Sequence, residues 1–297
     1  MMKVAPISFF FSLISWLLLV FSIETQVHTT LSVAASVTLH SHARKKHEKV
    51  SVPILSVSLN VDRNHYVKRM IFSIDHPVEK LIIQIGNEDN SVVDALVREI
   101  DEVKRNLTAS RNENITSIKI FTKNMNPGSA NGFNFGLREL KNSSTAAWVL
   151  VINSDITFYP GVLQRIAKMA DRAIHKDEKF GLGFTDLCCG SEWSAVVFSK
   201  RLLEAIGLFD ENFYPAYYED DDYAIRTHLA QMHALKFNDT ALLHGEIDGS
   251  KDYLSGVFKE LYIGPEKKSP AMLKWRRMFE YGQAVSKTYI EKKWGIR

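Results

Sequence analysis

The sequence predicts an α/β domain with a mostly parallel central sheet and helices on both faces. Two observations predict it. From residue 51 onward, short apolar runs alternate with longer amphipathic segments, the order that builds strand–helix–strand units. The strongest run, Trp148-Val149-Leu150-Val151-Ile152, is continuous rather than alternating, as suits a strand buried on both faces of a parallel sheet. The elements follow in order. Ile54 to Leu59 reads as a strand and Asn64 to Ile74 as a helix. Leu81 to Ile85 is a strand, Val92 to Val103 a helix, and Ile118 to Phe121 a strand followed by a Gly/Asn-rich turn. After the Trp148–Ile152 strand, Pro160 opens a helix through about Ala173, a first-turn position that proline suits. Ala195 to Phe198 is a further strand, and Tyr223, Ile225, Arg226 and Leu229 mark a further helix.

Composition limits the function. The chain has 297 residues, 45% hydrophobic and 24% charged, which excludes a disordered or collagen-like chain. The net charge of +3 comes from residues 1–50; residues 51–297 carry 32 basic and 32 acidic side chains. A neutral domain argues against nucleic acid as partner. The two cysteines, Cys188 and Cys189, are adjacent, which excludes a disulfide framework and a four-ligand zinc site. We read them as two thiols, a vicinal disulfide being the strained alternative.

Ile7 to Ile23 is a run of 17 residues without charge. As a helix it spans about 26 Å, close to the roughly 30 Å hydrocarbon core of a bilayer. Its length exceeds a usual signal-peptide core, so residues 1–23 read as an uncleaved signal anchor; cleavage near Ser32 to Ser36 is the alternative. Either way the remainder enters the secretory lumen. The sequons at Asn106, Asn114, Asn142 and Asn238 agree with this. Residues 24–50 are polar and contain four histidines; they read as a solvated stem. A domain over 51–250 and a C-terminal extension over 251–297 follow. In the extension, lysines and arginines interleave with Trp275, Phe279, Tyr281, Tyr289 and Trp294, the pattern of amphipathic helices packing on the domain.

In open parallel sheets ligands bind outside the carboxyl ends of the strands. The residues there are polar: Asn60 and Asp62 after the first strand, Asn87 and Asp89 after the second, Asn126 to Gly136 with Asn134 after the third, and Asn153-Ser154-Asp155 after the fourth. Each suits a turn by itself; together on one edge they point to a site. Asp155 follows the most buried strand, and one carboxylate with substrate phosphates is a usual magnesium or manganese arrangement. His244, after Ala241-Leu242-Leu243, offers a nitrogen to the same ion. Glu219-Asp220-Asp221-Asp222 heads a helix. Helix capping explains one or two of these acids, whereas a site needing a proton acceptor explains the excess. Trp193, beside Ala195 to Phe198, offers an aromatic face for stacking on a sugar or for core packing.

These residues resemble the family-2-type nucleotide-sugar glycosyltransferases of the GT-A fold, closest to the rhamnosyltransferase-like branch. Asn153-Ser154-Asp155 is similar to that branch's Asn-x-Asp version of the metal motif. Ala205 to Phe213, with Phe209-Asp210-Glu211, resembles Gly-x-Phe-Asp-Glu-x-Phe. Glu219 to Asp222 with Arg226 resembles Glu-Asp-x-Asp-x-x-x-Arg. His244 with Ser250 resembles a later His…Ser element, and Tyr289, Lys292, Lys293, Trp294 and Gly295 a terminal Tyr-x-x-Lys-Trp-Gly signature. The resemblance implies inverting, metal-dependent sugar transfer from a nucleotide-diphosphate sugar to a glycan or glycoconjugate hydroxyl. It implies Asp220 as base and Asp155 and His244 on Mn2+ or Mg2+. Asn60, Asp62, Asn87, Asp89, Asn134 and Asn153 then face the donor, and Trp193 and Glu219 the acceptor. An ER or Golgi single-pass type II protein fits these expectations, or a secreted one if the N-terminal segment is cleaved. A non-catalytic binding protein of the same fold is the alternative. A sugar-phosphate nucleotidyltransferase is disfavoured, because no glycine loop follows the first strand.

Overall fold

The computed structural model describes residues 50–59, 64–109, 114–187, 192–244 and 270–295. The apolar segment Ile7 to Ile23, most of the stem, Asn60, Asp62, Cys188, Cys189 and residues 251–269 lie outside them. Among the described residues, no helix is long and apolar enough to cross a membrane.

Eight strands make one sheet: β1 Val52–Leu59, β2 Val78–Gly86, β3 Ile115–Lys123, β4 Trp148–Asn153, β5 Ile156–Phe158, β6 Phe180–Leu187, β7 Ala195–Ser199 and β8 His233–His244. Their order is β3-β2-β1-β4-β7-β6-β8-β5. The β3–β2, β2–β1, β1–β4 and β6–β8 pairs are parallel. β7 and β5 run against their neighbours. This is a Rossmann-like, mostly parallel α/β sheet, consistent with the GT-A fold.

Alternation along the central strands explains why helices cover both faces. Leu55, Val57 and Leu59 of β1 and Trp148, Leu150 and Ile152 of β4 face one side. There they meet α1 (Asn64–Phe72), α2 (Asn90–Ala109) and α4 (Val162–Lys176) through residues such as Met70, Leu96 and Ile166. Ile54, Val149 and Val151 face the other side, under α3 (Ser129–Asn142), α5 (Lys200–Ile206) and α6 (Glu219–Leu229), through Leu137, Leu202 and Tyr223. Each such fully buried aliphatic side chain contributes about 1.5–3 kcal/mol.

The chain runs outward from β1 through β2 to β3, then returns to place β4 on β1's other side. The order therefore reverses between β1 and β4, and it is outside the carboxyl ends of strands at such a switch point that open α/β sheets bind ligands.

Several elements differ from expectation. Pro160 does not open α4. The helix begins at Val162 after Gly161, which caps it in a left-handed conformation (φ 74°) with its N–H on Asp75 Oδ2 at 2.6 Å. The strand β5 occupies the interval, because Ile156, Thr157 and Phe158 are all buried. In β6, Gly183 lies under the Phe237 ring, where a Cβ would stand 2.4 Å from the ring carbon Cζ. In β8 an irregularity falls near Asp239, whose φ is 58°. Of the four sequons, Asn106, Asn142 and Asn238 are exposed, and Asn114 is half-buried with its amide on the Ile74 carbonyl.

The helix α7 (Pro270–Trp294) docks on the segment before α6. At Gly282 an added Cβ would stand 2.1 Å from Pro215 Cδ, and Ile290 is buried. Gly282→Ala is expected to destabilise the protein by about 1–3 kcal/mol through this overpacking, read as a lower melting temperature. An unchanged melting temperature would show that α7 does not depend on this contact.

Candidate active site

The candidate site lies at the carboxyl ends of β1 and β4, two largely buried neighbouring strands. Ser58 pairs with Asn153, and Asn153 is exposed at the β4 end. Asp155 stands half-buried two residues on. The helix α1 holds this turn from one side. Arg69, buried, donates from Nη2 to the Asp155 carbonyl at 3.5 Å and lies over the Tyr66 ring at 4.8 Å. Ser73 Oγ accepts from the Phe158 N–H at 3.1 Å and donates to the Met70 carbonyl. The register of β5 on β8 sets Ile156 opposite His244. Asp155 and His244 thus occupy neighbouring positions at one end of the sheet, although their strands are distant in sequence. Among the described residues, no group of three or more His, Cys, Asp or Glu side chains gathers to hold a metal. One carboxylate with substrate phosphates and water is an acceptable set for a hard divalent ion.

At the β2 end, local turn chemistry occupies the polar residues. Asn87 Oδ1 accepts the Asp89 N–H, and Asp89 Oδ1 accepts both the N–H and the hydroxyl of Ser91. Asp89 therefore caps α2, and the Ser91 hydroxyl and N–H hold its carboxyl below the usual range. Gly86 is required at this strand end: a Cβ would meet Pro127 Cδ at 2.3 Å and the Met125 carbonyl at 2.8 Å.

Asn134 is buried rather than open to a donor. Its amide nitrogen donates to the Phe209 carbonyl and to Glu211 Oε1, and its Oδ1 accepts the Phe209 N–H. Asn131 and Arg138 also donate to Glu211. Burial pushes Glu211 up, but the bonds from Asn134, Asn131 and Arg138 outweigh it and leave the carboxyl below its ordinary value. The third-strand turn and α3 thus fix the Phe209-Asp210-Glu211 segment.

That segment leads to the acid block. Tyr217 and Tyr218 adopt φ of 76° and 66° immediately before α6, a conformation bulky side chains seldom hold and one that clusters at functional sites. The four acids then divide. Asp222 is 0% exposed. Its Oδ2 accepts from Arg226 Nε at 2.9 Å, and its Oδ1 from Lys293 Nζ at 2.7 Å and Trp294 Nε1 at 3.0 Å. Asp221 faces solvent, and Asp220 is half-buried with Oδ1 on the Asp221 N–H. Burial, and then the Asp221 charge, raise the proton affinity of Asp220. Glu219 is 6% exposed, with Oε2 unpartnered among the described residues. Burial, reinforced by Asp220 and Asp221, pushes it up to about 8. One acid is neutralised, one is solvated, and two hold protons more tightly than a free carboxylate. Of these two, Asp220 is the candidate proton acceptor, whereas Glu219, raised to about 8, keeps its proton near neutral pH.

A raised Glu219 has a signed consequence for stability. The native state holds the proton between about pH 4.5 and 8, where the unfolded state has released it. Stability therefore falls as pH rises through that window. Glu219→Gln removes the effect and is expected to raise the melting temperature at pH 8 while leaving it nearly unchanged at pH 4.5. Parallel stability–pH curves for the two proteins would contradict this.

Trp193 sits half-buried in a short turn, Glu192–Ser194. It packs edge-on against Phe184 at 5.1 Å, Phe209 at 6.1 Å and Tyr223 at 6.5 Å, so much of its face serves the aromatic cluster beneath α6. The aromatic rings that reach solvent beside the acid block are Tyr214 and Tyr217, 41% and 45% exposed. Sequence reasoning missed both; the tyrosine-rich run directly ahead of Glu219 was the available signal. Arg69 was missed as well, having only a helical position to mark it.

No protein-family model matches the chain, and no curated protein matches it. Among solved structures it is similar to S. aureus TarS residues 1–349, with a TM-score of 0.46 and 15% identity. The match covers 65% of this chain and 60% of that one.

Proposed function

We propose that this chain is an inverting glycosyltransferase that moves a sugar from a nucleotide-diphosphate sugar to a hydroxyl of a glycan or glycoconjugate. One observation carries the reading. Asp220 is a half-buried carboxylate of raised proton affinity, set beside an Asp222 whose charge Arg226 and Lys293 already neutralise. In this reading the acceptor oxygen attacks the anomeric carbon and Asp220 takes its proton. The bond from that carbon to the phosphate oxygen breaks, and its electron pair leaves with the diphosphate. A single displacement of this kind inverts the anomeric centre. Asp155 and His244 would hold Mn2+ or Mg2+, which supplies charge neutralisation for the diphosphate. Asn60, Asp62 and Asn153 would contact the donor from the β1 and β4 ends. Asn87, Asp89 and Asn134 would support these contacts by shaping the neighbouring turns. Glu219 and the exposed edge of Trp193 would meet the acceptor. The N-terminal apolar segment would hold the enzyme in an ER or Golgi membrane with this domain in the lumen.

The test incubates the full chain with UDP-, GDP-, dTDP- and CDP-sugars, manganese and mixed glycan acceptors. Released nucleoside diphosphate and the anomeric configuration of the product are read. Transfer with inversion is expected. A product of retained configuration would overturn single displacement. Donor binding without transfer to any acceptor would favour the non-catalytic alternative.

A further inference from the structure

We infer that the end of α7 is a positioning clamp for the acid block: Lys293, with Tyr289 and Trp294, joins Asp210 to Asp222 and so fixes the first turn of α6 that carries Asp220. The inference rests on the proposed function for its catalytic consequence, and on geometry alone for the clamp itself.

Lys293 Nζ lies between two carboxylates, 2.8 Å from Asp210 Oδ2 and 2.7 Å from Asp222 Oδ1. Each of those oxygens takes a second bond from the same turn of α7. The Tyr289 hydroxyl donates to Asp210 Oδ2 at 2.8 Å, and Trp294 Nε1 donates to Asp222 Oδ1 at 3.0 Å. On the far side of Asp222, Arg226 reaches from Oδ2 to the carbonyls of Ile206 and Leu208. The end of α7, distant in sequence, thus bridges two neighbouring segments, Phe209-Asp210-Glu211 and the head of α6. Rings wall the ammonium, with Phe213 at 5.5 Å and Tyr289 and Trp294 each at 5.9 Å.

The head of α6 needs such a tether. Four acids occupy its first turn, and Tyr218 provides no side-chain cap. The turn is approached through two strained tyrosines. Like charges at successive positions repel, and a fully buried carboxylate requires compensation. Arg226 supplies one cation from within the helix; Lys293 supplies the second from outside it. Docking of α7 does not depend on Lys293, because the Gly282–Pro215 contact and buried Ile290 already seat the helix. Loss of the lysine therefore acts on the acid block rather than on the attachment of α7.

The test compares full-length wild type with Lys293→Ala and Lys293→Arg. Hydrogen exchange is followed at the amides of residues 220–223, and kcat and donor KM are measured. Lys293→Ala is expected to accelerate exchange at those amides, and to lower kcat by about 100-fold with donor KM nearly unchanged, the scale of a misplaced catalytic group. Lys293→Arg, which keeps the cation, is expected to restore most of both. If Lys293→Ala proves too unstable, Lys293→Arg and Trp294→Phe give the same readouts with graded loss. Unaltered exchange at residues 220–223 would overturn the clamp, and faster exchange with wild-type kcat would overturn its positioning role. A wild type that transfers no sugar would refute the proposed function while leaving the exchange readout of the clamp intact.

Discussion

Asp220→Asn is expected to lower turnover by about 10²–10⁴-fold, the range that general-base catalysis contributes, while leaving fold and donor binding intact. The substitution is nearly isosteric. An asparagine oxygen still accepts the Asp221 N–H that Asp220 Oδ1 accepts now. What it cannot do is take a proton. It also removes one charge from a crowded acidic turn, so melting temperature should hold or rise. Asp221→Asn is the matched control, because Asp221 faces solvent and lacks the burial that raises its neighbour. Its effect should be small. A loss below about tenfold for Asp220→Asn would move the base role elsewhere.

Asp222→Ala is expected to lower stability by about 3–5 kcal/mol, the scale of breaking an ion pair at a buried carboxylate, and to lower kcat as well, because it removes the anchor by which Lys293 holds the turn carrying Asp220. The change strips Arg226 and Lys293 of a shared carboxylate and Trp294 Nε1 of its acceptor. For a chain of this size that is roughly 10 °C in melting temperature. Asp222→Asn keeps an acceptor on one side only and sets an NH2 donor against the donors on the other, so it should also be clearly destabilised. A neutral alanine variant would show that these contacts contribute little net energy.

The two acids differ by two positions in one helix, and the sequence does not separate them. Their excess over what a helix cap needs is visible in the string Glu219-Asp220-Asp221-Asp222. Which one is free to act depends on Lys293 and Trp294, which lie across the fold on α7. The terminal signature was recognisable, but its partners were not, because side-chain pairing between distant elements leaves no local pattern. At the β2 end the reverse holds. Asn87 and Asp89 suit a donor site by their place after a strand, yet their side chains close a turn and cap α2. Such residues satisfy both descriptions in sequence, and only hydrogen bonds separate them. Asn134 is a third case, spent on Phe209 and Glu211.

Elements were legible where burial is symmetric. The run Trp148 to Ile152 in β4 is apolar throughout, and β1 is mostly so, because helices cover both faces, and the alternation with helices gives the parallel order. β6 was obscured by Gly181 and Gly183, residues poor in strands but required here by the close approach of Met232 and Phe237. β8 was legible only at Ala241 to Leu243, because its first half is mostly exposed and Asn238-Asp239 reads as a turn. β5, three residues long, is too short to carry a period.

Ligand-dependent melting tests the proposed metal-assisted nucleotide-diphosphate site at the β1 and β4 ends without knowledge of the acceptor. The full chain is heated with UDP, GDP, dTDP or CDP, each with and without manganese, beside an Asp155→Ala variant. A ligand at about 100 times its Kd adds roughly 2.7 kcal/mol of stability. An upward shift is expected with one nucleotide, requiring manganese and disappearing in Asp155→Ala. No shift with any nucleotide from the folded protein, or an equal shift in the variant, would contradict it.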